Sequence, residues 1–129
     1  MSGHDFRREL LNTAKSDLKA LSNMLDPDAF DDRVFGFHAQ QAVEKALKVW
    51  LNYLQGTHPF THDLRLLLHA LEKLGADVES YWDFLDLSGY AVQFRYETLL
   101  EDEEPLNRYA LVKDIQALVE RVEKLVLQP

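Results

Sequence analysis

The chain has 129 residues, enough for one compact core, and residues 1–129 are expected to form a single domain. Fourteen basic and twenty-two acidic residues give a net charge of −8, which disfavours broad binding to nucleic-acid backbones. The absence of cysteine excludes disulfides, thiolate nucleophiles and cysteine-based metal sites. We expect a soluble, cytoplasmic protein, because no segment resembles a signal peptide or an apolar membrane span.

The first two predicted helices lie on either side of Pro27. Apolar residues at steps of three and four predict the first helix over residues 5 to 25. The next segment, VFGFHAQQAVEKALKVWLNYLQG, has a broad apolar face and a polar stripe that includes Lys45 and Lys48. Gly56 is placed to end this helix in the left-handed conformation. Such a helix is expected to occupy the middle of a bundle.

Three more helical segments follow. Thr61 is a plausible N-cap for a short leucine-rich helix that ends at Gly75, with Asp63 in its first turn. Residues 78 to 95 form an aromatic-rich segment in which Gly89 predicts a kink. The last helix is expected after Pro105. No strand pattern competes, so the sequence predicts an all-α, up-and-down bundle of about five helices.

Few residue patterns indicate catalysis or a cofactor. The sequence contains no phosphate-binding glycine motif, no Gly-x-Ser-x-Gly elbow and no Glu-x-x-His pair. His62 and His69 could share a helical face, but they lack a third ligand at suitable spacing, so neither a metal nor a cofactor is predicted.

Arg95 lies between Phe94 and Tyr96, at the end of the aromatic segment. Its guanidinium could grip a phosphate and stack on a base. Alternatively, Arg95 is only a favourable cation at a helix end, paired with Glu97 or Glu101. Spacing alone leaves both interpretations open.

Three segments in order, FHAQQAVEKALKVWL, THDLRLLLHAL and YAVQFRYE, resemble the signature of the HEPN family, named for higher eukaryotes and prokaryotes nucleotide-binding. The resemblance reaches from about Asp5 to Leu127, although the first and last helices agree only as amphipathic patterns. It implies a HEPN-like bundle of about five helices that usually pairs as a homodimer. Prokaryotic members often act beside a minimal nucleotidyltransferase, which neutralises some HEPN toxins by adenylylating a tyrosine.

HEPN ribonucleases carry a histidine four to six residues after an arginine that Arg95 could match. After His69, however, this sequence contains no histidine, and acidic residues follow Arg95 instead. General acid–base chemistry near neutral pH would therefore need another group. The resemblance thus favours a protein without catalysis over a ribonuclease with a degenerate site, and a purely structural dimerisation module is a third alternative.

The resemblance also implies a nucleotide ligand or a nucleotidyltransferase partner, as in the HEPN half of a two-component module of toxin–antitoxin type. The candidate ligand-binding residues are Arg95, Tyr96, Lys45, Lys48, His62 and Asp63, with Tyr96 or Tyr90 stacking on a base. The alternative for Lys45 and Asp63 is that they stabilise helix contacts or the dimer. Tyr96 and Tyr109 are the candidate sites of adenylylation.

Overall fold

The computed structural model describes residues 3–90 and 105–127. In these two ranges the elements are α1 (Gly3–Ser22), α2 (Asp32–Gln55), α3 (Leu64–Lys73), a 3₁₀ segment (Glu79–Tyr90) and α4 (Arg108–Val126). The predicted all-α bundle of about five helices is confirmed, since four α-helices and one 3₁₀ segment make up this part of the chain. None of the described helices is both long and apolar enough to cross a membrane.

Helix α2 is the centre of the bundle. It contacts α1, α3, α4 and the 3₁₀ segment, whereas α3 touches only α2 and the 3₁₀ segment among the described elements. Thirteen of the 24 residues of α2 are buried. The sequence prediction that this helix occupies the middle of a bundle is therefore confirmed.

The ends of α2 are fixed by side-chain and backbone hydrogen bonds. Asp31 is the N-cap, and its Oδ1 accepts a hydrogen bond of 3.1 Å from the backbone N–H of Val34. Gly56 has a φ of 81°, and its N–H donates to the carbonyl of Asn52 over 2.8 Å. The left-handed cap predicted at Gly56 is thus confirmed, and glycine suits it because this conformation carries no Cβ penalty there.

Two boundaries differ from the sequence prediction. Helix α1 ends at Ser22 rather than near residue 25, because Asn23 and Met24 form the tighter hydrogen bonds of a closing turn to Ala20 and Leu21. The N-cap of α3 is Asp63, not Thr61: the Asp63 carboxylate accepts from the Arg65 N–H over 2.9 Å. Thr61 acts one step earlier, where its hydroxyl accepts from the N–H of Asp63.

The 3₁₀ segment explains the aromatic stretch that the sequence placed in a kinked helix. With three residues per turn, side chains three apart lie on one face. The buried residues of the segment follow this spacing: Tyr81, Phe84, Leu87 and Tyr90. The remainder of the predicted segment, residues 91–95, lies outside the described residues.

Tyr90 packs directly on α2 at Gly36. A Cβ added to Gly36 would lie 2.4 Å from ring atoms of Tyr90, closer than real side chains approach. Glycine inside a helix costs about 1 kcal/mol relative to alanine. Here it allows the aromatic ring to approach the α2 backbone closely. Tyr90 is buried, which does not favour its predicted role as a base-stacking ring.

Candidate functional site

A polar network centred on Glu44 lies on α2, beside the loop that leads into α3. Glu44 is almost fully buried, with a side-chain exposure of 5%. Its Oε2 accepts from the Lys48 ammonium over 2.9 Å, and its Oε1 lies 3.0 Å from Nδ1 of His62. The spacing of Glu44 and Lys48, four residues apart with the acid first, is the favourable order on a helix. One buried carboxylate therefore holds two of the predicted site residues.

The glutamines of α2 complete this network. Gln40 donates its side-chain amide to Glu44 over 3.0 Å and to the backbone carbonyl of His62 over 3.1 Å, and it accepts from Gln41. Burial alone would raise the pKa of Glu44, but the hydrogen bonds from Lys48, Gln40 and His62 outweigh it and lower that pKa. Glu44 is accordingly ionised at neutral pH and fixes the entry into α3 against α2.

The network continues toward the C-terminal end of α2. Nδ2 of Asn52 lies 3.4 Å from Nδ1 of His58, and Oδ1 of Asn52 accepts from the Arg7 guanidinium over 3.0 Å. The His58 ring stacks on Phe6 with centroids 5.3 Å apart. Burial, with a smaller contribution from the Lys48 charge, lowers the pKa of His58. Arg7 and His58 thus meet on Asn52, which lies four residues after Lys48 on α2.

Lys45 lies on a different side of this helix from Glu44 and its partners. Its ammonium binds Asp17 of α1 over 2.6 Å, and the same carboxylate lies 3.4 Å from Nδ1 of His38. Lys48 instead binds within α2. The structure therefore places Lys48 with His62 and directs Lys45 to the contact between α1 and α2.

The loop before α3 presents two exposed rings. Phe60 is fully exposed, and the His62 side chain, two residues later, is 73% exposed. Both flank Thr61, whose hydroxyl supports the N-cap Asp63. The loop before α3 thus exposes the ring of Phe60 and the imidazole of His62, and the contact of His62 with Glu44 holds this loop against α2.

The structure locates Tyr109 but not the other candidate site of modification. Tyr109 lies in the first turn of α4 with its side chain exposed. Arg95 and Tyr96 lie outside the described residues, and their assigned roles stay predictions.

Sequence reasoning missed Glu44, Gln40 and Phe60. The available signal for Glu44 was a carboxylate between the apolar positions of a helix, with a lysine four residues later. Phe60 gave no signal, because an aromatic beside Pro59 can be buried or exposed with equal ease.

Metal binding finds no support among residues 3–90 and 105–127. These ranges contain no group of three or more His, Asp or Glu side chains arranged to hold an ion. Within them, Nδ1 of His69 lies 3.7 Å from Glu72, and the His69 ring packs edge-on against Trp82 with centroids 5.0 Å apart. His62 is committed to Glu44 rather than to His69.

Neither the curated proteins nor the solved structures gave a significant match. The family model described as HEPN domain matches residues 7–126, from the second turn of α1 to the end of α4. This range contains α2, the loop with His62, and the exposed Tyr109. Because the match spans nearly the whole chain and the bundle agrees with it, the chain belongs to the HEPN family.

Proposed function

We propose that this HEPN protein is non-catalytic and binds a nucleotide, as the cytoplasmic, homodimeric HEPN half of a two-component module with a minimal nucleotidyltransferase. The observation that carries the proposal is the pairing of Lys48 and His62 on Glu44, with the fully exposed Phe60 two residues before His62 in the chain. Family membership supports nucleotide-related or ribonuclease-related function in general. The network suggests which described residues would contact the ligand.

Lys48 and His62 offer the groups that a phosphate requires. The Lys48 ammonium has three N–H donors, and Glu44 accepts one of them. His62 faces Glu44 through Nδ1, so its Nε2 is directed away from that carboxylate. In the imidazolium form Nε2 donates to a phosphate oxygen, and in the neutral form with Nδ1 protonated it accepts from a ribose hydroxyl. Glu44 thus orients both groups.

The charge distribution supports an anionic ligand at this place. The whole chain carries −8, yet the Lys48 ammonium and the His62 imidazole meet on one buried carboxylate, Glu44. Lys48 is only 13% exposed, so its contact with a ligand would be made at the edge of the network. The exposed His62 would form the outer contact.

Phe60 could supply the base contact. Its aromatic ring is fully exposed, and it precedes His62, the residue proposed to bind phosphate, by two positions. The ring is therefore accessible for stacking on a nucleobase. Stacking of this kind contributes about 1–3 kcal/mol per base and tolerates different bases. Phe60 therefore replaces Tyr90 in the proposal.

The remaining predicted residues keep proposed roles. Arg95 and Tyr96 are retained as proposed ligand contacts. Lys45 and Asp63 enter as residues that hold α1 and α3 in place around it, since the Lys45 ammonium is bound to Asp17 and Asp63 caps α3.

Calorimetric titration of the full chain with ATP and GTP tests nucleotide binding. We expect His62→Ala and Lys48→Met to weaken binding at least tenfold, about 1.4 kcal/mol. Lys113→Met is the matched control, because Lys113 is an exposed lysine of α4. Circular dichroism establishes that each variant is folded. Absence of saturable binding by the wild-type chain, or equal affinity in the variants, would refute the assignment of this site.

Catalysis and partnership need separate assays. RNA cleavage by the wild-type chain that is lost in a folded Arg95→Ala variant would contradict the non-catalytic proposal.

For the partner, we expect a nucleotidyltransferase to co-purify from the source cell at low salt. Mass spectrometry of the intact chain should then detect an adenylyl group on Tyr96 or Tyr109; the exposure of Tyr109 makes its hydroxyl accessible. A lone, unmodified homodimer would contradict the two-component arrangement.

A further inference from the structure

A cleft lies between the beginning of α1 and the end of α4, apart from Lys48 and His62. It has a volume of about 300 Å³. Leu11, Val126 and Leu127 supply its apolar surface, and Arg7, Arg8, Asn12 and Glu123 supply its polar groups. This volume is at the lower end of the range for small-molecule sites, roughly 300–1,000 Å³.

The cleft carries an excess of positive charge. Glu123, its acidic group, is already neutralised by an ion pair with Lys15 that joins α1 and α4. Among the residues that the structure describes, no hydrogen bond or ion pair engages the Arg8 side chain. Arg7 and Arg8 therefore present two guanidinium groups, next to a carboxylate whose charge is compensated.

Arg7 contains an unsatisfied donor. Its Nη1 donates to Asn52 over 3.0 Å, and its guanidinium lies over the Tyr53 ring, 5.8 Å from the centroid. Its Nε is buried and has no hydrogen-bond partner among the described residues. Buried donors are normally satisfied, so Nε of Arg7 is an exception that lies out of reach of solvent. Arg7 is held by α2 through Asn52 and Tyr53, so Arg8 supplies the guanidinium that is free to pair with an anion in the cleft.

The opposite part of the cleft favours hydrocarbon. Leu11 and Val126 are core residues that nevertheless line it, and Leu127 is about half exposed at the end of α4. Water in contact with these side chains gains few hydrogen bonds, so its displacement by an apolar group is favourable. The cleft thus combines an anion-binding end with an apolar surface.

We propose that this cleft binds a small carboxylate with a short hydrocarbon tail, the carboxylate facing Arg7 and Arg8 and the tail lying on Leu11, Val126 and Leu127. A guanidinium matches a carboxylate in a bidentate pair. The proposal does not depend on nucleotide binding, because neither Lys48 nor His62 lines this cleft.

The first test is calorimetric titration of the full chain with octanoate. Three further probes separate the contributions: octanol has the tail without the charge, octylammonium has the opposite charge, and acetate has the head without the tail. We expect octanoate to bind saturably at one site per chain, at least tenfold more tightly than each of the others. If octanol bound as tightly as octanoate, the cleft would be purely apolar. If acetate bound as tightly as octanoate, it would be a simple anion site. Either result overturns the proposal.

Two variants test the location from both ends of the cleft. Arg8→Gln should weaken octanoate at least tenfold, while the matched control Arg65→Gln, at an exposed arginine of α3, should leave it unchanged. Leu127→Gln should weaken octanoate without changing the response to acetate. Amide chemical shifts of Leu11 and Leu127 should move on titration. Unchanged octanoate affinity in both cleft variants would refute the proposal.

Discussion

Replacement of Arg108 by methionine should destabilise the bundle strongly. Arg108 is 5% exposed, and its guanidinium donates to the backbone carbonyls of Met24 and Phe30 and to the Asp32 carboxylate, the last over 2.9 Å. It also lies over the Phe35 ring, 4.9 Å from the centroid. One side chain at the start of α4 thus binds the connection between α1 and α2.

The expected loss of stability can be worked out contact by contact. The buried carbonyl of Met24 loses its donor, which costs about 1–3 kcal/mol, and the partly buried carbonyl of Phe30 contributes about 1 kcal/mol. The ion pair with Asp32, one-third exposed, and the ring contact add about 1 kcal/mol together. The sum is roughly 3–5 kcal/mol, as expected when one partner of a buried polar group is removed. Methionine leaves little cavity, so the loss is polar in origin.

Urea denaturation and thermal melting followed by circular dichroism measure this loss. For a domain of this size a loss of about 1 kcal/mol lowers Tm by roughly 4 °C, so Arg108→Met should lower Tm by about 12–20 °C. Arg108→Lys should fall between wild type and Arg108→Met, because lysine keeps the charge but not the planar fork. Arg65→Met is the control at an exposed site. A change below about 1 kcal/mol in Arg108→Met would refute the reasoning.

Three further predictions concern α2 and its surroundings. Gly36→Ala should lower the free energy of unfolding despite the better helix propensity of alanine, because the new Cβ would meet the Tyr90 ring at 2.4 Å; a more stable variant in urea denaturation would contradict that packing. Leu47→Asp should unfold or aggregate, since it places an unpaired charge at a fully buried position, and a soluble, cooperatively melting variant would show that this face of α2 is wrongly assigned. Stability should fall as pH decreases. Folding lowers the pKa of His58 from 6.5, so on acidification the unfolded chain binds this proton first and stability begins to fall near pH 6.5. Folding also lowers the pKa of Glu44 from 4.5, so the stability that ionised Glu44 contributes above pH 4.5 is lost on further acidification. Denaturation midpoints measured from pH 8 to 4 check both signs, and His58→Gln should remove the first part of the decline; a midpoint that rises on acidification would contradict both assignments.

The sequence predicted the bundle because its helices have strong apolar periodicity and clear terminators. Gly56 is the best example, since few other residues adopt a positive φ without strain. The cap of α3 was misassigned because Thr61 and Asp63 are both good capping residues two positions apart, and only the observed hydrogen bonds distinguish them.

Buried polar residues were the hardest to predict. Arg108 stands at the first position of α4, where the helix dipole disfavours a cation. Its location is explained only by carbonyls from a loop 78 to 84 positions away in sequence. Glu44 likewise depends on Lys48 and His62, and the latter is 18 positions distant. Contacts between distant segments leave no periodic trace in the sequence, so the candidate site could be predicted only in part.

The burial of α2 limits which positions of this chain tolerate substitution. A helix with thirteen buried residues in 24, surrounded on several sides, tolerates few substitutions without repacking its neighbours. The segment FHAQQAVEKALKVWL, which carries much of the family resemblance, lies on this helix. The recognisable part of the sequence is therefore the part that maintains the architecture, whereas the fully exposed Phe60 in the loop before α3 can vary at little cost to folding. New ligand specificity would be expected to arise in that loop while α2 stays the same.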